Sequence, residues 1–337
     1  MRTSSSRRLL DRVGRTRRWV AIDSALGIVT IGSGIGLLAM AMTLLTRSAI
    51  FGATVSLSLA ILGVRFFAIT RVVGRYVERY IGHLGTFRVL TRLRVWLFAQ
   101  LVDQDTLALA DRRRGDVVTG LVDDIETMQD RLLRVSSPPF IALGTLAIGT
   151  AALMLIDARA ATILAGTFLF AALVLPPIVH ARTSTAAEAL VELRAERLGR
   201  ATELLEAREA LAVWGRSDLP TEILSRIDDD EERIGRRLST TRALLDGAVI
   251  ALIGACVIAI VTVITSAGGG ASAVWWLAAA PLIALASFEA LGPLLARPEH
   301  RARTDQAAAR VLRFAGDGPS ITDRTKDEGT PPNQSPA

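Results

Sequence analysis

The fold class the sequence predicts is an all-α membrane protein: six transmembrane helices with long cytoplasmic helical extensions. Three observations predict it. Half of the 337 residues are hydrophobic and the mean hydropathy is +0.39, although 21% of the chain is charged. That combination suits apolar spans joined to charged extensions better than a soluble core. Six apolar runs, at 19–45, 49–73, 138–156, 160–179, 243–266 and 273–295, are each about 20 residues or longer. At about 1.5 Å rise per residue, each is long enough to cross about 30 Å of hydrocarbon. The third observation is the pair of long, charged, helix-favouring intervals, Gly74 to Ser137 and His180 to Arg242, that separate runs two from three and four from five.

Taken in order, residues 1–18 are a basic N-terminus carrying seven arginines: Arg2, Arg7, Arg8, Arg12, Arg15, Arg17 and Arg18. The run that follows, 19–45, is too long for a signal-peptide core and has no obvious cleavage site, so it reads as a retained helix. The connections "LTRSAI", "IDARAA" and "SAGGGAS" hold only Arg47 and Arg159 between them. Under the positive-inside rule these three short loops face outward and both termini are cytoplasmic, with the lipid bilayer as the immediate surroundings. The two inward intervals pair Glu with Arg at three- and four-residue spacing, as in "AEALVELRAERLGRATELLEAREALAVWG", which favours long helices. Each helical pair is expected to be joined by a short turn-helix, near 107–116 and near 211–220. After the sixth run a polar helix reaches about residue 314, and 315–337 is rich in Gly, Pro, Ser, Thr and charge, a composition expected to be disordered.

Composition also excludes. Every basic residue but Lys326 is arginine and the pI is near 10.6, yet the arginines flank apolar runs and form no patch interleaved with aromatics, so nucleic acid is not an expected partner. Cys256 is the lone cysteine, which rules out an intrachain disulfide or a Cys-x-x-Cys redox pair. No carboxylate pair or nucleophile-base set points to hydrolysis. The chain contains no G-x-x-x-x-G-K-[ST] phosphate loop, so ATP is expected to act only through a partner domain.

The segment that carries chemistry follows the second run. Placed on a helix at about 100° per residue, Arg71, Arg75, Glu78, Arg79 and His83 fall, with Arg65, within an arc of about 140°. Phe66, Ile69, Val73, Tyr76, Tyr80 and Phe87 occupy the other side. The plain reading is a helix leaving the membrane, its arginines snorkelling to lipid phosphates and Glu78 pairing with Arg75. It suits Arg65 less, because that residue lies well inside the run and should face a partner or a wet cavity. The functional reading is a ligand face. Arg79 and His83 are four residues apart, and Gly82 on the same arc leaves space where a side chain would stand. A flat ligand fits such a patch, with the imidazole as metal ligand and the guanidiniums paired to carboxylates. Haem has that chemistry, with His83 on its iron, and an anionic thiol peptide such as glutathione also suits the arginines.

"RYVERYIGHLGTFRVLTRLRVWLFAQL", followed by "RRRGDVVTGLVDDIETMQDRLLRVSSP", strongly resembles the CydC-type subunit of the heterodimeric CydDC exporters, ABC transporters needed for assembly of cytochrome bd oxidase. The shared pattern is carried by Arg75, Tyr76, Glu78, Arg79, His83, Thr86, Phe87, Arg88, Leu90, Leu93 and Arg94, and "ASFEALGPL" matches a stretch of the sixth helix. The resemblance implies the ABC exporter transmembrane-domain fold over 19–314 and a CydD-like transmembrane half as partner. It also implies a nucleotide-binding domain, on a separate chain or in a missing segment. The cargo it implies is cysteine and glutathione or haem, with His83 and Arg79 at the haem site.

Further candidates lie elsewhere. Glu289, between Phe288 and Pro293 in the sixth run, is an intramembrane acid and so a functional candidate, or a structural partner for an arginine such as Arg65. Pro281, Pro293 and "SSPPF" are expected to bend helices or mark their starts. Asp111, Arg112, Arg113, Arg114 and Trp214 sit where the turns should dock on an ATP-binding domain. His180 and His300 are lone histidines with no assigned chemistry. The expected protein is a transport subunit, not an enzyme in itself. The alternative is a non-transporting haem-binding or scaffold subunit that has lost its motor.

Overall fold

The computed structural model describes residues 6, 9–10, 16–51, 57–102, 124–216, 218–266 and 273–315. The major elements are α1 (Thr16–Phe51), α2 (Ser58–Val102), α3 (Pro138–Met154), α4 (Ala158–Glu206), α5 (Arg208–Val213), α6 (Leu219–Ser266), α7 (Ala273–Ser287) and α8 (Leu291–Ala315). A π-helical segment, Arg131–Ser136, leads into α3, and a 3₁₀ turn, Phe288–Ala290, separates α7 from α8. The described residues contain no strand, as the all-α expectation requires. The chain forms two compact units, one of residues 1–172 with 256–337 and one of residues 173–255.

Among the described residues five helical stretches are long and apolar enough to cross a membrane: Thr16–Ala49, Ile125–Met154, Ala158–Glu206, Leu219–Ser266 and Leu277–Arg313. Six were expected, and the difference lies at α2. Its first eighteen residues carry Arg65, Arg71 and Arg75, so composition alone does not qualify it, and residues 52–56, which extend its apolar run, lie outside the described residues.

In the first unit α1 and α2 form an antiparallel pair, with α7 and α3 also packed on α1. Trp19 faces Gly85, Asp23 faces Gly82, Thr30 faces Gly74 and Phe67 faces Gly36, so each step along α1 is matched by a step back along α2. Glycine is what lets the helices approach. A β-carbon on Gly34 would stand 2.7 Å from Arg71 Nη1, and one on Gly85 2.8 Å from the Trp19 ring. The Leu155–Asp157 turn joins α3 to α4, and the Arg159 N–H donates to Asp157 Oδ1 at 2.7 Å, which makes this expected outward loop a tight one.

Beyond the apolar runs the same unit has a core of the soluble kind. Val89, Leu93, Trp96 and Leu97 recur at helical spacing on α2 and bury against Ile125, Met128 and Leu132, and against Ala308 and Val311 of α8. Leu9 and Leu10 close the cluster, and Ser6 donates to Asp305, so the N-terminal segment is tied to α8. The Asp124 carboxylate, 4% exposed, accepts a two-pronged hydrogen bond from Arg310, with Nε to Oδ2 at 3.0 Å. His300, given no role from sequence, places Nδ1 3.2 Å from Asp130 Oδ2. Replacing Arg310 with alanine strands a buried carboxylate, so R310A is expected to destabilise the unit by about 2–3 kcal/mol. Thermal unfolding in detergent checks this; D124N, which removes the buried charge and keeps an amide oxygen to accept from Arg310, should lower Tm less.

The second unit is the helical hairpin expected from the second inward interval. Arg194 Nε bonds Glu231 Oε1 at 2.8 Å and Arg197 Nε bonds Asp228 Oδ1 at 2.7 Å, joining α4 to α6 along their polar faces. Exposed pairs of this kind each contribute little, so they set register more than stability. The turn-helix expected at 211–220 is α5, shifted a few residues toward the N-terminus, and the chain leaves it through Gly215 at φ +67, a left-handed position that favours glycine. The other expected turn-helix, 107–116, lies outside the described residues.

Candidate functional site

The charged arc of α2 faces a cavity of about 410 Å³ in the first unit, lined by Arg75, Glu78, Arg79, Gly82 and His83. The opposite walls come from α1, through Asp23, Thr30 and Ile31, from the start of α3, and from the 3₁₀ turn that carries Glu289. That turn has a local cause. Pro293 has no N–H to give the Glu289 carbonyl, so the regular ladder cannot run through and the chain tightens at Phe288–Ala290.

Glu289 is thereby held against α2. Its Oε1 accepts from Arg75 Nη2 at 2.9 Å and its Oε2 from Arg71 Nη2 at 3.2 Å. Of the arginines that could serve as its structural partner, of which Arg65 was the example, Glu289 pairs with Arg71 and Arg75. Arg65 lies six residues earlier, about 9 Å along the helix axis, at a level Glu289 does not reach. Arg65 is exposed and does not line the cavity, and Arg71 touches it only through Glu289. The expected Glu78–Arg75 pair also gives way: Arg75 turns to Glu289, while Glu78 lies within hydrogen-bond reach of Thr30 on α1.

Gly82 does make room, but for protein atoms. A β-carbon there would stand 3.0 Å from Asp23 Oδ1 and 3.1 Å from Leu133 Cδ2. Asp23 is buried within hydrogen-bond reach of Ser137. His83 is exposed on the cavity wall and stacks on Phe87, ring centroids 6.2 Å apart and planes at 29°. The cationic seam is thus balanced: Asp23, Glu78 and Glu289 stand against Arg75 and Arg79, with Arg71 behind Glu289.

Sequence reasoning missed Asp23 as a site residue. Its signal was present, for it is the only acidic residue between 19 and 45, and an acid inside an apolar run is a candidate by the same rule that singled out Glu289. Of the residues placed at the ATPase-facing turns, Asp111, Arg112, Arg113 and Arg114 lie outside the described residues. Trp214, at the end of α5 in the second unit, is 82% exposed.

Among the described residues no three His, Cys, Asp or Glu side chains cluster as a metal site. A haem needs less: a nitrogen for its iron, which His83 offers, and cationic groups for two propionates, which Arg75 and Arg79 offer. The residues present fit that demand, although three carboxylates share the same walls.

Residues 24–274 match the family described as the ABC transporter transmembrane region. The chain is 30% identical over 315 residues to the glutathione/L-cysteine transport system ATP-binding/permease protein CydC of Escherichia coli K12, covering 91% of this chain and 55% of that protein. It is 26% identical over 303 residues to the CydC of Haemophilus influenzae, covering 87% and 52%. To the CydD of Bacillus subtilis it is 32% identical over 212 residues, covering 62% and 35%. The chain spans about half the length of the two CydC proteins it matches.

Proposed function

The chain belongs to the ABC transporter transmembrane family, and from that premise we propose that it is the CydC-type half of a heterodimeric exporter of thiol reductants, cysteine or glutathione. The observation that carries the cargo class is the balanced cavity. Cysteine and glutathione each present an ammonium beside carboxylate, and a wall holding both Asp23 and Glu78 and both Arg75 and Arg79 offers a partner to each. A purely anionic ligand would leave the acids opposed.

The work divides by residue. Arg79 and Arg75 donate to cargo carboxylate, Asp23 and Glu78 accept from its ammonium, and the apolar walls from Ile31, Leu133 and Ile141 exclude water. Glu289 holds Arg71 and Arg75 in place across the 3₁₀ turn, a joint at which α8 can change its angle to α7 as the cavity opens to one membrane face and then the other. ATP hydrolysis comes from nucleotide-binding domains, docked at residues 107–116 and at Trp214. A CydD-like half covers the stripe of Phe66, Ile69, Tyr76, Tyr80 and Phe87 that α2 leaves exposed. The termini lie in the cytoplasm and the bilayer is the bacterial inner membrane, the side set by the arginines of residues 1–18. Support of cytochrome bd assembly rests on the family resemblance.

One observation favours a second ligand. The His83 imidazole, four residues from Arg79 on the same wall, would hold haem by its iron, with Arg79 and Arg75 on the propionates. Bound there, haem would supply a redox-active iron, as cargo or as a regulator in a scaffold that does not transport.

The deciding experiment uses inside-out vesicles containing the chain with a CydD-like half and the nucleotide-binding domains. ATP-dependent accumulation of radiolabelled cysteine is expected, and R79A should reduce it about tenfold or more, the loss of one charge-assisted hydrogen bond. In parallel, a Soret band on the purified assembly should vanish in H83A. Vesicles that hydrolyse ATP without accumulating cysteine or glutathione would remove the thiol reading, and an unchanged Soret band in H83A would remove His83 as the iron ligand.

A further inference from the structure

A small space of about 10 Å³ lies behind the cavity wall on α2, where Thr86, Asp23 and Ser137 meet among apolar side chains that include Trp19 and Leu132. That is room for one water molecule. Asp23, Gly82 and Leu133 line both this space and the larger cavity, so they form the partition between the two. The three polar side chains are buried, Thr86 and Ser137 at 1% exposure and Asp23 at 8%. Elsewhere on α1 and α2 threonine hydroxyls turn back to the carbonyl four residues earlier, Thr30 to Leu26, Thr70 to Phe66 and Thr91 to Phe87. Thr86 departs from that habit: its Oγ1 is buried with no hydrogen-bond partner in the protein, a condition folded chains rarely tolerate. Ser137 Oγ donates to the Leu132 carbonyl at 3.2 Å and also lies within hydrogen-bond reach of Asp23. Its single hydrogen cannot serve both, so the carboxylate keeps acceptor capacity toward the small space.

We propose that one water molecule is held in this space, accepting from Thr86 Oγ1 and donating to Asp23 and to Ser137 Oγ, and that it fixes the Asp23 carboxylate in the partition, which makes Thr86 a positioning residue for the cargo site. Three polar partners are the usual complement of a buried water. Three oxygen-bearing side chains are too few for a hard cation, which takes about six ligands. With water behind it, one side of the carboxylate is occupied and the other is left for the cargo ammonium. This consequence for cargo rests on the thiol reading of the larger cavity; the water itself does not.

Cryo-electron microscopy of the full chain with its CydD-like half and the nucleotide-binding domains, carried to the point where ordered water is visible, tests the site. A peak about 2.7–3.0 Å from both Thr86 Oγ1 and the Asp23 carboxylate is expected in the wild type and in T86S. In T86V, which keeps the branched shape without the hydroxyl, the peak should be lost and the carboxylate should turn from the partition. In vesicles, T86V should raise the KM for radiolabelled cysteine about three- to fivefold with the maximal rate retained, and T86S should restore it. No peak in the wild type, or a Thr86 hydroxyl turned to the Gly82 carbonyl, would overturn the site. A peak lost in T86V with Asp23 and KM both unmoved would overturn the positioning role. Should wild-type vesicles take up no cysteine, the thiol reading falls, and the density decides the proposal by itself, through the peak and the orientation of Asp23 in T86V.

Discussion

Glu289→Ala is expected to cut ATP-driven cysteine export by about ten- to a hundredfold, with a fall in Tm corresponding to about 1–2 kcal/mol. The functional loss follows from its place between two guanidiniums, at 2.9 Å and 3.2 Å, on a turn that Pro293 keeps from being regular helix. Removing it frees Arg75 to move away from the cargo or to pair with the acids meant for the cargo ammonium. Two lost charge-assisted hydrogen bonds correspond to a change of that order in a transition-state barrier. The stability loss is smaller because the three side chains are 31–56% exposed and solvent screens their attraction. A double-mutant cycle separates this from general damage: with Arg75 already alanine, the further loss on E289A should shrink, since the two act as one unit. Normal export by E289A would show that the pair is ornament to the cavity, and full additivity with R75A would show that Glu289 acts elsewhere.

Asp23→Asn should raise the apparent KM for cysteine about tenfold while leaving any Soret band in place. Asp23 reaches the cavity from α1 under Gly82, opposite Arg79 and His83, and it is the group best placed to accept from an ammonium. The amide keeps its shape and its contact with Ser137 but loses the charge, a difference of about 1–2 kcal/mol in a charge-assisted hydrogen bond. Gly82→Leu should act through the same residue: its β-carbon would already touch Asp23 Oδ1 and Leu133 Cδ2, and the branched atoms beyond it would need more room, so Asp23 must turn away or the helices must part. Gly82→Ala needs only a shift of a few tenths of an ångström and should retain much of the activity. If D23N transports normally while R79A does not, the cavity recognises carboxylate alone and the zwitterion reading fails. If D23N removes the Soret band and leaves export unchanged, Asp23 serves haem and not the thiol.

Much of this was written in the chain. Apolar runs report spans because each is a local property of about 20 consecutive residues, and Glu/Arg spacing reports helices for the same reason. The angular arithmetic on α2 placed Arg75, Arg79, Gly82 and His83 on one wall of one cavity, since four-residue spacing fixes a face whatever the helix packs against. The arginines on that face also kept α2 from qualifying as a span by composition, leaving five among the described residues where six were expected. A helix whose charges line a cavity does not look like a span to hydropathy alone.

By itself the sequence determined the helical class, the basic and apolar borders and the face of α2 that carries cations. Only the tertiary structure decided which charges meet. Glu289 and Arg71 are 218 residues apart, and their pairing depends on the depth at which α8 crosses α2 and on the break at Pro293, neither of which a local pattern encodes. The same holds for Asp23, an isolated acid in the sequence, which the antiparallel register of α1 and α2 brings under Gly82. Helical periodicity fixes the angle of a side chain around its own axis. Its height relative to another helix is set by packing, and an ion pair needs both.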